Sequence, residues 1–257
     1  MLRDKHYIVI PAHFDSRRLP GKVLLQETGK PLIQHTWEQA IRVKYKHPDF
    51  NFDVVIATDN DEIEQRCTNF GAKVVRTGKC DNGTERVADA VSHLPFPPER
   101  FCTVTNLQVD YPDFPIDVIP SLVSAIHQGQ GKILIATIAY PNEDKHEFLD
   151  KDNVKVVTTA GSVALYFSRS PIPYDCEKSL IHVGIYTFHF QLLQQYNQIR
   201  QQKNPLIAES EGLEQNKWLF GGLPVFVMGY PQKISAINTI EDYQKFVKEY
   251  KTLISVE

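Results

Sequence analysis

The sequence predicts an α/β fold: a mostly parallel, doubly wound sheet with a small mixed-sheet elaboration in its second half. Three observations predict it. Short apolar runs alternate with amphipathic stretches through the first half, glycines and polar caps punctuate them, and the second half shifts to strand-like runs with short links.

Taken in order, Tyr7 to Ala12 is a short apolar run and reads as a buried strand, and Leu32 to Val43 follows a helical pattern. Asp53 to Thr58 is a second buried strand and Asp61 to Phe70 a second helix, which Gly71 closes before the strand Ala72 to Val75. The turn Asn82-Gly83-Thr84-Glu85 opens a helix whose apolar face is Val87, Val91 and Leu94; Asn82 or Thr84 can cap it. Phe101 to Leu107 returns as a strand and Ile116 to Gln128 as a helix with Ile119, Leu122, Val123 and Ile126 on one side. Ligands bind such sheets outside the carboxyl ends of the strands, so the loops after Ala12, Thr58 and Leu107 are where chemistry is sought. In the second half Ile133 to Tyr140, Val154 to Thr158, Ala164 to Phe167 and Ile181 to Phe188 read as strands, with a long connection around Pro171 to Lys178. Helices over about Leu206 to Phe220 and Ile240 to Leu253 complete the chain.

Composition narrows the function. The 257 residues are 42% hydrophobic and 23% charged, ordinary for one globular domain spanning 1–257. A net charge of -3 argues against broad binding to nucleic acid or an anionic membrane. Cys67, Cys80, Cys102 and Cys176 form no Cys-x-x-Cys pair, which argues against a structural zinc and for free thiols in a reducing compartment. The first apolar run is too short for a signal peptide, and no stretch approaches the ~20 residues that span a bilayer. The expected location is cytoplasmic, and the Asn82-Gly83-Thr84 sequon is expected to stay unglycosylated.

The segment from Pro11 to Lys22 leaves the first strand with Arg17, Arg18 and Lys22 and a Pro20-Gly21 turn. Glycine lets backbone approach an anion, and Arg and Lys supply forked and point-charge donors for phosphate oxygens. Ser16 and Val23 stand where a Walker A loop needs Gly and Ser or Thr, and Gly-x-Gly-x-x-Gly is absent from the sequence. A solvated basic turn has the same composition; the position directly after the first strand favours a triphosphate site.

Ile10-Pro11-Ala12 followed by Ser16, Arg18-Leu19-Pro20-Gly21-Lys22 and Gly29-Lys30-Pro31-Leu32-Ile33 resembles the opening of the cytidylyltransferases that activate 3-deoxy-manno-octulosonate (Kdo) for bacterial lipopolysaccharide. The resemblance continues in order through Ala57-Thr58-Asp59, Gly83-Thr84-Glu85-Arg86, Asn106-x-Gln108-x-Asp110-x-Pro112, Ala164 to Arg169 with Ile172-Pro173, His182-x-Gly184-Ile185-Tyr186 and Leu213-Glu214-Gln215. It implies a nucleotide-diphospho-sugar transferase-like fold, transfer of CMP from CTP to an acidic sugar with release of pyrophosphate, and a homodimer. Residues ~142–190 would form a sugar-binding and dimerisation elaboration.

The resemblance also implies roles. Ala12, Ser16, Arg18 and Lys22 bind the triphosphate, and Asn82, Gly83, Thr84 and Arg86 lie near base and ribose. Asp110 seats Mg2+ with Asn238, and Lys22 and Asp110 carry the catalysis. Gln108, Arg169, His182, Tyr186, Glu214 and Gln215 face the sugar, with Arg169 suited to a carboxylate. By itself His182 reads as a packed core histidine; its motif favours substrate contact.

Several positions depart from the family pattern. His13 stands where the family has Arg, Val109-Asp110-Tyr111-Pro112 where it has Gly-Asp-Glu-Pro, Asn216-Lys217 where it has Leu-Arg, and Asn238 where it has Asp. His13 removes a permanent donor, Tyr111 puts an aromatic ring in place of a carboxylate, and Asn238 removes one charge from the metal cage. Three readings follow. The first is an active cytidylyltransferase, and the second a homologue that binds nucleotide or a partner without turnover. The third is a glycosyltransferase whose metal motif is Asp59-Asn60-Asp61.

Overall fold

The computed structural model describes residues 4–16, 18–95, 101–196 and 211–254. They divide into two compact units, Met1–Val118 with Ser235–Glu257, and Ile119–Ile234. The expected elaboration at ~142–190 lies inside the second unit, which begins earlier and ends later.

The first unit alternates strand and helix as expected: β1 Lys5–Pro11, α1 Leu32–Lys46, β2 Phe52–Thr58, α2 Asp61–Asn69, β3 Val74–Arg76, α3 Gly83–Ser92 and β4 Cys102–Asn106. Its strands pair in the order β3-β2-β1-β4, every pair parallel. Ile8, Val9 and Ile10 of β1 and Val55, Ile56 and Ala57 of β2 are fully buried. An unbroken apolar run, with no polar alternation, is what a strand buried on both faces requires. The chain steps outward from β1 through β2 to β3, then returns to the other side of β1 as β4. That reversal is a topological switch point, and it aligns the loops after β1 and β4 on one edge.

The second unit holds α4 Val118–Gln128 from Ile119 on, β5 Ile135–Asn142, α5 Lys145–Leu149, β6 Lys155–Thr158, β7 Ala164–Ser168, β8 Ser179–His189, α6 Phe190–Gln194, α7 Glu214–Phe220 and β9 Val225–Gly229. Here the sheet is mixed: β5 runs antiparallel to β8 and parallel to β9, and β6 antiparallel to β7 and β8. β9 answers to no element expected from the sequence. The expected helix from Leu206 begins outside the described residues, and its described part starts at Glu214. The chain returns to the first unit as α8, Ile240–Ile254. Among the described residues no helix is long and apolar enough to cross a membrane.

Candidate active site

The loop after β1 is folded on itself. Phe14 O accepts from Ser16 N at 3.1 Å and Gly21 N at 3.2 Å, and Gly21 takes a φ of 68°, the left-handed turn that glycine permits. Ala12 is buried at the strand end, its N–H still on the ladder to Ala57 O. Arg18 is exposed, and Arg17 lies outside the described residues. Lys22 begins a short 3-10 turn, and its Nζ lies 2.5 Å from Asp110 Oδ1 and 3.3 Å from Ile237 O.

Asp110 follows β4, two strand ends meeting at the switch point. Its own carbonyl accepts from Ile237 N at 2.8 Å, which pins the segment before α8 against it. Asn238 is the next residue on that segment, and Arg18 Nη2 donates to its Oδ1 at 2.8 Å. Asp242 Oδ2 accepts from Asn238 N and Thr239 N, fixing the start of α8. A carboxylate and an amide carbonyl on adjacent segments are hard oxygen donors. They fit magnesium, which takes one or two carboxylates with substrate phosphates. His13 lies near these charges. Burial and the nearby Arg86 and Lys22 lower its pKa, so the neutral ring does not replace an arginine.

Asn82 caps α3, its Oδ1 accepting from Glu85 N at 2.8 Å, which decides between the two expected caps. Behind this turn Asn106 Nδ2 donates to Thr84 Oγ1 at 3.0 Å, and Gln108 Nε2 to Asn106 Oδ1 at 2.7 Å. A Cβ at Gly83 would stand 2.7 Å from Gln108 Nε2, so Gln108 lies directly against this turn. Arg86 is buried, its Nη1 on Asp59 at 3.0 Å and Thr77 Oγ1 at 2.6 Å. Through these two contacts Arg86 braces the ends of β2 and β3. Asp61 is 94% exposed and pairs with Arg76, while Asn60 caps α2, so Asp59-Asn60-Asp61 forms no shared carboxylate site. Tyr111 is buried, and its ring is packed away from solvent.

The remaining expected residues belong to the second unit, around β7, β8 and α7. Arg169 follows β7, donating from Nε to Glu211 O and from Nη1 to Lys151 O, each at 3.0 Å. His182 and Tyr186 flank a bulge in β8, their rings 5.2 Å apart. Thr137 Oγ1 directs its proton at the carbonyls of Val183 and Ile185, so His182 Nε2, 3.0 Å away, is the donor to that oxygen. Burial lowers the His182 pKa to about 3, and the ring stands edge-on to Phe167. His182 is thus a neutral, half-buried histidine. Glu214 opens α7 and accepts from Tyr196 OH, and Gln215 is buried behind it. Asn216 departs from the family pattern for a structural reason: its amide donates to Phe167 O at 2.8 Å and accepts from Phe167 N at 3.2 Å.

Sequence reasoning missed Asn106, Lys155 and Glu211. Asn106 alone carried a signal, standing two residues before Gln108 at the end of a strand. A cavity of about 630 Å3 in the second unit, lined by Phe148, Leu149, Pro171, Tyr174 and acidic residues, includes none of the expected site residues.

Switch-point loops that gather cations around a carboxylate and an amide oxygen, on a parallel sheet, define an α/β nucleotidyltransferase. The cytidylyltransferase family profile matches residues 7–230. The 3-deoxy-manno-octulosonate cytidylyltransferase of Francisella philomiragia is 33% identical over 254 residues, covering 94% of this chain and 97% of that protein. The enzyme of the same name from Haemophilus influenzae is 33% identical over 257 residues, covering 93% and 95%. A solved structure of CMP:2-keto-3-deoxy-manno-octonic acid synthetase complexed with CTP aligns with a TM-score of 0.85 at 31% identity, covering 96% of this chain and 99% of that one. A cytidylyltransferase from Leptospira borgpetersenii shares the fold, with a TM-score of 0.56 at 17% identity, covering 99% and 93%. The chain belongs to the cytidylyltransferase family.

Proposed function

We propose that this chain transfers CMP from CTP to an acidic sugar, Kdo or a related 3-deoxy-octulosonate, and releases pyrophosphate. The observation that carries the reading is the junction of Lys22, Asp110 and the Ile237–Asn238 segment at the carboxyl ends of β1 and β4. On arrival of the triphosphate, Lys22 and Arg18 exchange Asp110 and Asn238 for phosphate oxygens. The freed carboxylate and amide oxygens would hold Mg2+, which neutralises phosphate charge and lowers the pKa of the sugar hydroxyl when bound. Ser16 and the backbone of the β1 loop complete the phosphate contacts, with Asn82, Gly83 and Thr84 beside base and ribose. Arg169 takes the sugar carboxylate, and Gln108, His182, Tyr186, Glu214 and Gln215 its hydroxyls.

The anomeric oxygen attacks the α-phosphorus in line, the bond to pyrophosphate breaks, and the hydroxyl proton passes to solvent water. Positioning and charge neutralisation supply most of such a barrier reduction. His182 is not assigned as general base, since its Nε2 proton is committed to Thr137. In this reading the enzyme is a cytoplasmic homodimer that acts on small molecules and supplies lipopolysaccharide synthesis.

A pyrophosphate-release assay with CTP, Mg2+ and a panel of acidic sugars tests the proposal. Release with Kdo or a near relative is expected, and Asp61→Ala should leave it intact. The neutral Asn238 favours one other reading, a homologue without turnover. CTP binding with no pyrophosphate release for any sugar would establish that instead.

A further inference from the structure

Lys155 opens β6 and is fully buried. An ammonium withdrawn from water needs an acceptor for each of its three protons. Its Nζ has three: the carbonyls of Asp150 at 2.8 Å, Asn153 at 2.6 Å and Arg169 at 2.6 Å. Among the described residues no carboxylate lies within ion-pair distance of it. An apolar side chain in its place would escape the desolvation cost of the ammonium but leave those three carbonyls without this donor. What Lys155 does achieve is to join the 150–153 turn to the residue that follows β7.

That residue is Arg169, and it is fixed at four groups. Its N–H donates to the Glu211 carboxylate, its C=O accepts from Lys155, its Nε donates to Glu211 O and its Nη1 to Lys151 O. Both side-chain bonds go to carbonyl oxygens, and Nη2 has no acceptor among the described residues. Glu211 is in turn fixed by Ser168 Oγ at 2.9 Å and Tyr166 OH at 3.2 Å. Its φ of 61° is a left-handed conformation that a residue with a side chain keeps when its contacts hold it there.

We propose that Lys155 and Glu211 are positioning residues that hold the Arg169 guanidinium in one orientation to receive the carboxylate of the acidic sugar. The inference rests on the sugar-site reading above. An arginine in water samples many rotamers, and locking it beforehand removes that ordering cost from substrate binding.

Side-chain 15N–1H spectra of arginine in the full-length protein test the placement without substrate. The Arg169 Nε signal is identified by its loss in Arg169→Lys. In the unmodified protein its proton should exchange slowly with water, and in Lys155→Met and Glu211→Gln at least about tenfold faster. Rapid exchange in the unmodified protein, or equal rates in all three, overturns the inference.

In the pyrophosphate assay each variant should raise KM for the sugar about five- to tenfold and leave KM for CTP within about twofold. Combined with Arg169→Ala, each should add almost nothing, because residues that act through one another are not additive. A purely structural role predicts additive losses that fall on both substrates, and that result also overturns the inference. Should Lys155→Met fail to fold, Glu211→Gln carries both measurements. If no acidic sugar is turned over, the functional reading fails while the spectra still decide the placement.

Discussion

Replacing Asn238 with aspartate places a second carboxylate beside Asp110, on a segment already pinned to it by the Ile237 N–H. Magnesium dehydrates reluctantly and follows ligand charge. The Mg2+ concentration for half-maximal pyrophosphate release should therefore fall roughly three- to tenfold in Asn238→Asp, with the variant's Arg18 contact becoming an ion pair. No change in the magnesium titration would remove this position from the proposed metal site.

His182 makes a different prediction, about stability. Its folded pKa of about 3 lies below the unfolded value near 6.5, so between them the unfolded chain binds more protons. Its contribution is whole above pH 6.5 and is lost as pH falls towards 3. By pH 5 the loss should be about 1 kcal/mol, half the ideal linkage value because the residue keeps some exposure. His182→Gln retains a donor for Thr137, and its stability should fall less between pH 7 and 5 in urea unfolding. An unchanged slope would mean that the imidazole is not held neutral. The motif pointed to this residue, but the sequence could not show that Thr137 takes its proton, since the two stand 45 positions apart.

At the scale of elements, Asn216 and Gly83 show what a local pattern cannot reveal. Asn216 closes the outer edge of β7 by satisfying both main-chain groups of Phe167. Asn216→Leu, which restores the family residue, should therefore destabilise the protein by about 2–3 kcal/mol in chemical denaturation, because it leaves two polar groups without partners. A stable leucine variant would show that the edge is satisfied another way.

Gly83→Ala should behave differently. Alanine favours a helix over glycine by up to about 1 kcal/mol, which offsets the loss of the Gln108 bond to Asn106, so stability should stay within about 1 kcal/mol. Gln108 must move from beneath the new methyl. KM for the sugar should rise several-fold, and unchanged kinetics would separate Gln108 from the substrate.

The parallel half of the fold was legible because β1 and β2 are unbroken apolar runs and α3 carries its own cap at Asn82. β9 was overlooked although Val225, Phe226 and Val227 are strand-forming residues; its place in the sheet is set by pairing with β5, some 90 positions earlier. The loops after β1 and β4 were legible as a site from their charges and their position. The braces Lys155 and Glu211 were not, since a charged residue on a strand or loop reads as solvated until its acceptors are known.

For the whole molecule, the question is whether the proposed metal site exists before substrate arrives. Among the described residues no cluster of three or more His, Cys, Asp or Glu side chains can hold a metal ion. Asp110 already faces Lys22 and Asn238 already faces Arg18. A cation approaching alone would have to displace two basic side chains and gain only one negative charge. With the triphosphate present, those side chains have phosphate oxygens to move to, and the cation gains phosphate ligands as well. Metal and nucleotide should therefore bind together far better than either binds alone. In thermal melts, millimolar Mg2+ without nucleotide should raise Tm by less than about 1 °C. A CTP–Mg2+ mixture at about 100 times its Kd contributes about 2.7 kcal/mol, or roughly 5–10 °C for a chain of this size. CTP with a chelator should give well under half of that shift, and the chelator alone none. A full shift from Mg2+ alone would reveal a preformed metal site elsewhere. An equal shift from CTP with and without chelator would show that the nucleotide is held by the cations of the β1 loop without help from Asp110 or Asn238.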